Sequence, residues 1–287
     1  MSEMEIKKIT KRLKIPLFKF SICTIVNEIG EYEIMKSLFE EKGFIDDCEY
    51  IIADNSKQNE FDAYQAISRF LKMAKGEYIV IVHQDVRLID DRLHLEKCLI
   101  DLETKDNNWG VCGNAGFYGY EQASFHLSHT NLVQHGINLP QIVKSLDENF
   151  LIVNANTNIT ISPNLKGYHL YGTDLCIIAN FLGYNCYVIE FMLLHLSGGN
   201  IAALKKYEPE FIGEYGKKME IGFIQTTCTK FYLSNSEKKN KFLNSPFIFS
   251  IIIYFISRPV IWKRWIKRKK RRVSIIYNYL FKQSLKR

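Results

Sequence analysis

Residues 74–86 read AKGEYIVIVHQDV, and this stretch decides the fold. The apolar run at 78–82 indicates a strand that is buried on both faces, as strands are in the interior of a parallel sheet. His83, Gln84 and Asp85 follow the run directly. The strand therefore delivers an imidazole, an amide and a carboxylate to one edge of the predicted sheet.

Strands and helices alternate on both sides of this stretch. Further strands are predicted at 18–26, 49–53, 109–112, 150–154 and 186–190, and helices at 31–41, 61–74, 91–104 and 173–182. This β-α-β order implies right-handed crossovers, so we predict a single Rossmann-like α/β domain with a mostly parallel central sheet. Residues 113–145 show no clear period and are expected to form an irregular, functional loop.

Polar residues follow three of these strands. Asn27-Glu28 follows the first strand and Asp54-Asn55 the second, while the 83–85 cluster follows the third. In a parallel sheet the carboxyl ends of the strands share one edge, where ligands bind. We therefore expect the three polar clusters to form one site.

The charge is divided unevenly along the chain. Residues 1–237 hold all 31 acidic groups and only 23 of the 38 basic ones, whereas residues 238–287 hold the other 15 and no acids. An acidic body lacks the positive surface that nucleic acids require, so no nucleic-acid partner is expected. We predict a globular domain at 1–237 and a basic tail at 238–287.

The tail favours a membrane surface. Residues 246–257 form an apolar run shorter than the roughly twenty residues of a spanning helix, and a Lys/Arg cluster follows at 267–272. This pattern predicts that residues 245–287 form an amphipathic, helical segment on anionic lipid. A solvated charge run behind a core helix, RNA binding by the Lys/Arg cluster and a membrane pass over 242–262 are the alternatives.

The start of the chain and the cysteines predict the compartment. Residues 1–14 are charged and lack an apolar signal region, and the seven cysteines form no CxxC pair. We expect a cytoplasmic protein, peripheral on the inner face of the membrane.

Six segments give the sequence a family resemblance. They are SICTIVNE, EYIIADNS, AKGEYIVIVHQDV, LDENFLIVNA, KGYHLYGTDLC and HLSGG, in this order, across roughly residues 19–200. This order resembles the family-2-like glycosyltransferases of the GT-A fold. The resemblance implies metal-dependent, inverting transfer of a sugar from a nucleotide-diphosphate sugar, with UDP favoured, to a hydroxyl of a glycan or a lipid-linked acceptor.

The resemblance also implies the nucleotide-binding residues. Asn27, Glu28 and Asp54 match the family positions that hold the base and the ribose, because carboxylates and amides accept from uracil N–H and ribose hydroxyl groups. Asn55 and Gln84 adjoin them and are included in the predicted nucleotide-sugar site.

The metal motif of the family is Asp-any-Asp, and here it reads His83-Gln84-Asp85. Asp85 matches the usual direct ligand of the ion, and His195 resembles the C-terminal histidine that some members supply. Mn²⁺ or Mg²⁺ is the implied cofactor. His83 either joins the ion, which would favour Mn²⁺, or contacts the sugar.

Inverting transfer needs a carboxylate that removes the proton of the acceptor hydroxyl. Asp174 is the leading candidate by resemblance, although a single carboxylate stands where the family often has a pair, and a first-turn aspartate also suits a helix without any chemistry. Asp147 is the second candidate.

Two other hypotheses remain at this point. A sugar nucleotidyltransferase would share the fold, but the first loop lacks the glycines and lysine of that class. A degenerate GT-A domain that acts as a membrane-bound scaffold would explain His83 and the missing acidic pair.

Overall fold

The computed structural model describes residues 16–119, 121–128, 131–135, 138–197 and 201–256. Two compact units divide the chain: the first runs up to Phe211 and includes Thr226–Thr229, and the second holds Ile212–Gln225 and the chain from Lys230 onward.

The described elements, in chain order, alternate between strands and helices only in the first third of the chain. The strands are β1 (Phe18–Val26), β2 (Cys48–Asp54), β3 (Gly76–Val82), β4 (Val86–Leu88), β5 (Trp109–Gly113), β6 (Ala115–Tyr118), β7 (Glu121–Ser128), β8 (Asn131–His135), β9 (Gln141–Val143), β10 (Ser145–Leu146), β11 (Phe150–Asn154), β12 (Asn185–Val188), β13 (Leu193–His195), β14 (Gly222–Gln225) and β15 (Lys230–Leu233). The helices are α1 (Ile29–Glu41), α2 (Ala63–Met73), α3 (Arg92–Lys105), α4 (Tyr171–Phe181), α5 (Ile201–Tyr215), α6 (Glu237–Leu243) and α7 (Pro246–Ile256).

The central sheet of the first unit has seven strands in the order β2-β1-β3-β11-β5-β12-β9. Its strand pairings give five strands one direction, and β11 and β9 the other. The predicted α/β class with a mostly parallel central sheet is confirmed.

Strand β3 lies in the middle of this sheet and carries the predicted apolar run. Val80, Ile81 and Val82 are almost completely buried, and burying each such side chain contributes about 1.5–3 kcal/mol. Gly76 begins the strand, and a Cβ there would lie 2.6 Å from the backbone nitrogen of Ser21 on β1. Glycine therefore allows β1 and β3 to pair closely, which fixes the relative position of their polar ends.

A second sheet occupies the segment that the sequence predicted to be irregular. Its order is β10-β6-β7-β13-β4, with β8 paired to β7. The prediction of a loop over 113–145 is wrong, because strands β6 to β10 lie there. These strands are short and several carry small or polar residues, so antiparallel backbone pairing forms them without an apolar period.

The second sheet also brings one distant residue to the end of β3. β13 pairs antiparallel with β4, and His195 is in register with Val86. His195 therefore lies beside Asp85, although more than a hundred residues separate them in the sequence.

The second unit contains the β14-β15 hairpin, helix α6 and helix α7. Among the described helices, none combines the length and the apolar character that crossing a membrane requires. α7 is apolar and exposes Phe247, Ile251 and Tyr254. Most of the predicted membrane-associating tail, residues 257–287, lies outside the described residues, and the predicted domain boundary after residue 237 stays a prediction.

Candidate functional site

A cleft of about 790 Å³ opens at the carboxyl edge of the central sheet. This volume is in the range of sites that enclose small molecules. Six predicted site residues line the cleft, together with Tyr168, His169, Tyr171 and Ser197: they are Asn27, Glu28, Asn55, His83, Gln84 and Asp85. The structure therefore brings the polar ends of β1, β2 and β3 together, as parallel strands require.

Three potential metal ligands converge at the end of β3. One donor atom each from His83, Asp85 and His195 lies within 4.8 Å of the others. Asp85 Oδ1 is 3.9 Å from His83 Nδ1 and 3.7 Å from His195 Nε2. These separations are too long for hydrogen bonds, so the three groups do not bond to one another, and His195 Nε2 lies 3.3 Å from Ser197 Oγ.

The electrostatics of this cluster favour the protonation states that a cation requires. Burial would raise the pKa of Asp85, but the backbone N–H of Ser197, which donates to Oδ2 at 3.1 Å, and the two histidines lower it below its ordinary value. Burial and the neighbouring His195 lower the pKa of His83. At neutral pH the cluster therefore holds an ionised carboxylate and a neutral imidazole at position 83.

Gln84 and Asn27 bond mainly to each other. Gln84 Oε1 accepts from the backbone N–H groups of Asn27 and Glu28 at 3.0 and 3.1 Å, and its amide nitrogen donates to Asn27 Oδ1. Gln84 thus ties the loop after β1 to the loop after β3. The exposed Glu28 carboxylate is left at the rim of the cleft.

The Asn55 side chain is engaged throughout its own loop. Its Oδ1 accepts from the N–H groups of Glu60 and Phe61 at 3.0 Å, and its Nδ2 donates to Phe61 O and to the hydroxyl of Tyr168. An amide side chain has two donor hydrogens and two acceptor lone pairs, and in Asn55 all four are used. Asn55 therefore stabilises the loop and has no hydrogen-bonding group left for a ligand. Asp54 is exposed and is not among the residues that line the cleft. Its Oδ1 accepts a hydrogen bond from the backbone N–H of Ser56.

The two candidate bases occupy different surroundings. Asp174, in the first turn of α4, is 0% exposed, and its Oδ2 accepts from the backbone N–H of Ser162 at 2.8 Å. The structure therefore does not bring Asp174 to the cleft. Asp147 is half-buried, and its Oδ2 accepts from the hydroxyl of Thr227 at 2.6 Å. The charge of Asp147 acts on His83 and opposes the lowering of the His83 pKa.

Glu148, whose backbone carbonyl contacts the cleft residue Tyr171, is a titratable residue that sequence reasoning did not single out. Burial and the charge of Asp147 raise the pKa of Glu148 to about 8. Hydrogen bonds from the backbone amides at the start of α4 stabilise the carboxylate and partly offset this rise. Gly172 allows this approach, because a Cβ there would lie 2.5 Å from Leu146 O. The only signal in the sequence is the place of Glu148 beside Asp147.

Tyr171 is a second residue that the sequence did not single out. Its hydroxyl oxygen lies 2.7 Å from His83 Nε2 and 2.9 Å from the carbonyl oxygen of Glu148. It stands three residues before Asp174 in the segment KGYHLYGTDLC, but nothing in that segment shows which partner the hydroxyl meets.

Comparison with known proteins gives one relative by sequence. No family model matches the chain. The chain is 34% identical over 186 residues to "ATP synthase subunits region ORF 6" of Fuscovulum blasticum, across 61% of this chain and 74% of that protein. This chain belongs to the ORF 6 family. The name of the ORF 6 relative states a genomic region and no reaction.

Solved structures similar to this member of the ORF 6 family include three proteins of low identity. A197 from STIV is 13% identical with a TM-score of 0.40, over 63% of this chain and 86% of that chain. The mannosyltransferase PcManGT from Pyrobaculum calidifontis, in complex with GDP-Man and Mn²⁺, is 11% identical with a TM-score of 0.47, over 68% and 63%. GalNAc-T7 with UDP, GalNAc and Mn²⁺ is 11% identical with a TM-score of 0.43, over 70% and 48%. With TM-scores below 0.5, these similarities say nothing about the reaction of this chain.

Proposed function

We propose that this protein is a metal-dependent glycosyltransferase that moves a sugar from a nucleotide-diphosphate sugar to a hydroxyl acceptor. The observation that carries the proposal is the convergence of His83, Asp85 and His195, the first two of which line a cleft at the carboxyl edge of a mostly parallel sheet. The order of sequence motifs that resembles family-2-like glycosyltransferases supports the same reaction.

The three ligands fit a divalent cation. One ionised carboxylate and two imidazoles, with donor atoms within 4.8 Å, make a mixed oxygen and nitrogen set. Mg²⁺ prefers oxygen ligands only, whereas Mn²⁺ also accepts imidazole, so we propose Mn²⁺. When bound, such an ion would neutralise the negative charge of the departing diphosphate.

The nucleotide would lie along the loops after β1 and β2. Glu28 stands at the rim of the cleft, where its exposed carboxylate suits the N–H groups of a base. Asn27 adjoins it, and its hydrogen bonds with Gln84 hold this part of the nucleotide site in place. The exposed carboxylate of Asp54, near the end of β2, suits ribose hydroxyls. UDP is the proposed nucleotide, because of the family resemblance alone.

Asp147 is the proposed base. It would take the proton of the acceptor hydroxyl while the acceptor oxygen bonds to the anomeric carbon and the bond from that carbon to the diphosphate breaks, with inversion. Asp147 suits this role better than Asp174, because Asp147 is partly exposed and its charge reaches His83, whereas Asp174 is fully buried.

We further propose that residues 245–287 bind the anionic inner face of a membrane, where a lipid-linked or surface glycan acceptor would be held. The exposed apolar side chains of α7 and the basic residues beyond it support this location. Co-sedimentation with anionic and zwitterionic vesicles tests it: the full chain should sediment only with anionic vesicles, and deletion of residues 245–287 should abolish this. Equal sedimentation of the truncated chain would contradict it.

The reaction is tested by incubating the full chain with UDP- and GDP-sugars, Mn²⁺ and a lipid-linked glycan, and measuring release of the nucleoside diphosphate. Release should depend on Mn²⁺ and be abolished by Asp85→Ala. Asp101→Asn, on the exposed side of α3, is the matched control and should leave it unchanged. Release of inorganic diphosphate from a nucleoside triphosphate and a sugar phosphate would instead indicate a nucleotidyltransferase. Absence of any nucleotide binding would favour a scaffold.

A further inference from the structure

We infer that Tyr171 is a positioning residue that fixes His83 in the tautomer with its hydrogen on Nε2, so that Nδ1 is presented to a metal ion beside Asp85 and His195. This inference rests on the metal site of the proposed function. Tyr171 is not one of the three proposed ligands. Its contact with His83 would explain how a histidine can bind the ion at position 83, where the motif that this sequence resembles has an aspartate.

The direction of two hydrogen bonds carries the inference. The Tyr171 oxygen is 2.9 Å from the carbonyl oxygen of Glu148, and a carbonyl only accepts. The single phenol hydrogen is therefore directed to Glu148. At 2.7 Å from His83 Nε2, the Tyr171 oxygen then acts as the acceptor, and Nε2 must carry the hydrogen.

A neutral imidazole has only one N–H, so Nδ1 of His83 keeps its lone pair. Nδ1 is the atom that faces Asp85 Oδ1 at 3.9 Å. A ligating histidine whose other nitrogen donates to a fixed partner is held in both tautomer and ring orientation, and loss of such a partner typically lowers metal affinity 10- to 100-fold.

The packing around the start of α4 fixes the position of the Tyr171 hydroxyl. Tyr171 begins α4 and is 3% exposed. The start of α4 packs against the end of β10, where Gly172 approaches Leu146 O, and the carbonyl of Glu148 lies two residues further along the chain. The acceptor on Glu148 is a backbone atom, so it does not depend on a side-chain rotamer.

The first experiment measures Mn²⁺ binding directly, by following the electron paramagnetic resonance signal of free Mn²⁺ during titration of the full chain. Tyr171→Phe should weaken Mn²⁺ binding by about tenfold or more. Tyr64→Phe is the matched control, because Tyr64 is also buried and donates to a backbone carbonyl, that of His169. It should change the affinity less than twofold.

The outcomes separate the inference from the proposed function. Failure of the wild-type chain to bind Mn²⁺ would overturn the metal site and the role of Tyr171 together. Binding by wild type that His83→Ala weakens and Tyr171→Phe does not would overturn the role of Tyr171 alone.

A second measurement uses the wild-type protein, so its result does not depend on whether a variant folds. In metal-free wild-type protein with ¹⁵N-labelled histidine, long-range ¹H–¹⁵N correlation spectra report which ring nitrogen of His83 carries the hydrogen. We expect the hydrogen on Nε2, with Nδ1 unprotonated. A hydrogen on Nδ1 would overturn the inference.

Discussion

The amides of Asn27, Asn55 and Gln84 (the amide set) are engaged in hydrogen bonds within and between the loops that follow β1, β2 and β3. In contrast, Asp85 Oδ1 lies 3.9 Å from His83 and 3.7 Å from His195 (the three form the imidazole set), and these separations are too long for hydrogen bonds. The amide set, His83 and Asp85 follow strands of the central sheet, whereas His195 ends β13 of the second sheet. The difference indicates that the amide set builds a rigid rim and that the members of the imidazole set, which do not bond to one another, can share a ligand. Substitutions in the two sets should therefore have different consequences.

The largest effect is expected at Asp147, a partly exposed carboxylate whose charge acts on His83 of the imidazole set. Asp147→Asn removes the proposed base but keeps the shape of the side chain, so the transfer rate should fall by about 10²- to 10⁴-fold. The affinity for UDP and Mn²⁺ and the melting temperature should not change. Steady-state kinetics measure the transfer rate, and calorimetry measures the two affinities and the melting temperature. Full transfer activity in this variant would remove Asp147 from the mechanism.

The next effect concerns the amide set. Asn55→Ala leaves the N–H groups of Glu60 and Phe61 without their acceptor, which should cost about 1–3 kcal/mol of unfolding free energy, measured by chemical denaturation. Its affinity for Mn²⁺ should stay that of wild type.

Asp54→Ala is the matched variant for Asn55→Ala. Asp54 is exposed, so the unfolding free energy should be nearly unchanged while the affinity for UDP falls. A stable Asn55→Ala protein that has lost UDP binding would reverse the assignment of these neighbours.

A further prediction concerns Asp174, the candidate base that is fully buried. Asp174→Ala removes the acceptor of the Ser162 N–H and should cost about 1–3 kcal/mol of unfolding free energy, with Mn²⁺ affinity retained. If this variant were as stable as wild type and yet inactive in transfer, Asp174 would be the base after all.

The smallest effect, for a change of one pH unit, is a pH dependence of stability that Glu148 contributes. Its pKa is about 8 in the folded protein against an ordinary value of 4.5, so between these values the folded protein holds a proton that the unfolded chain has lost. This contribution makes stability fall as pH rises through that window, by at most about 1.4 kcal/mol per pH unit. Glu148→Gln should flatten the curve measured by denaturation at several pH values. Parallel curves for the two proteins would contradict the raised pKa.

The sequence predicts the frame of the site well. A buried strand such as β3 has a continuous apolar run, and parallel strands bring their carboxyl ends to one edge, so the meeting of Asn27, Asn55 and His83 follows from pattern alone. The place of His195 beside Asp85 came only from family resemblance, because β4 and β13 are three residues long and too short to show a period.

Hydrogen-bond partners are what the sequence leaves open. Residue type shows that Asn55 and Gln84 can bind a nucleotide, but it does not show that their amides are engaged within the loops. The same holds for Asp174, whose burial depends on the packing of α4, and for Tyr171, whose partners come from two other segments.

The most direct test of the central claim is calorimetric titration of UDP into the full chain, with and without Mn²⁺, for wild type and for Asp85→Ala. The imidazole set is proposed to hold the ion that in turn holds the diphosphate, so UDP should bind wild type in the presence of Mn²⁺ and should bind neither without Mn²⁺ nor to Asp85→Ala. Equal binding of UDP without Mn²⁺ or to Asp85→Ala would contradict the account, as would failure of UDP, GDP and dTDP alike to bind the wild-type protein with Mn²⁺.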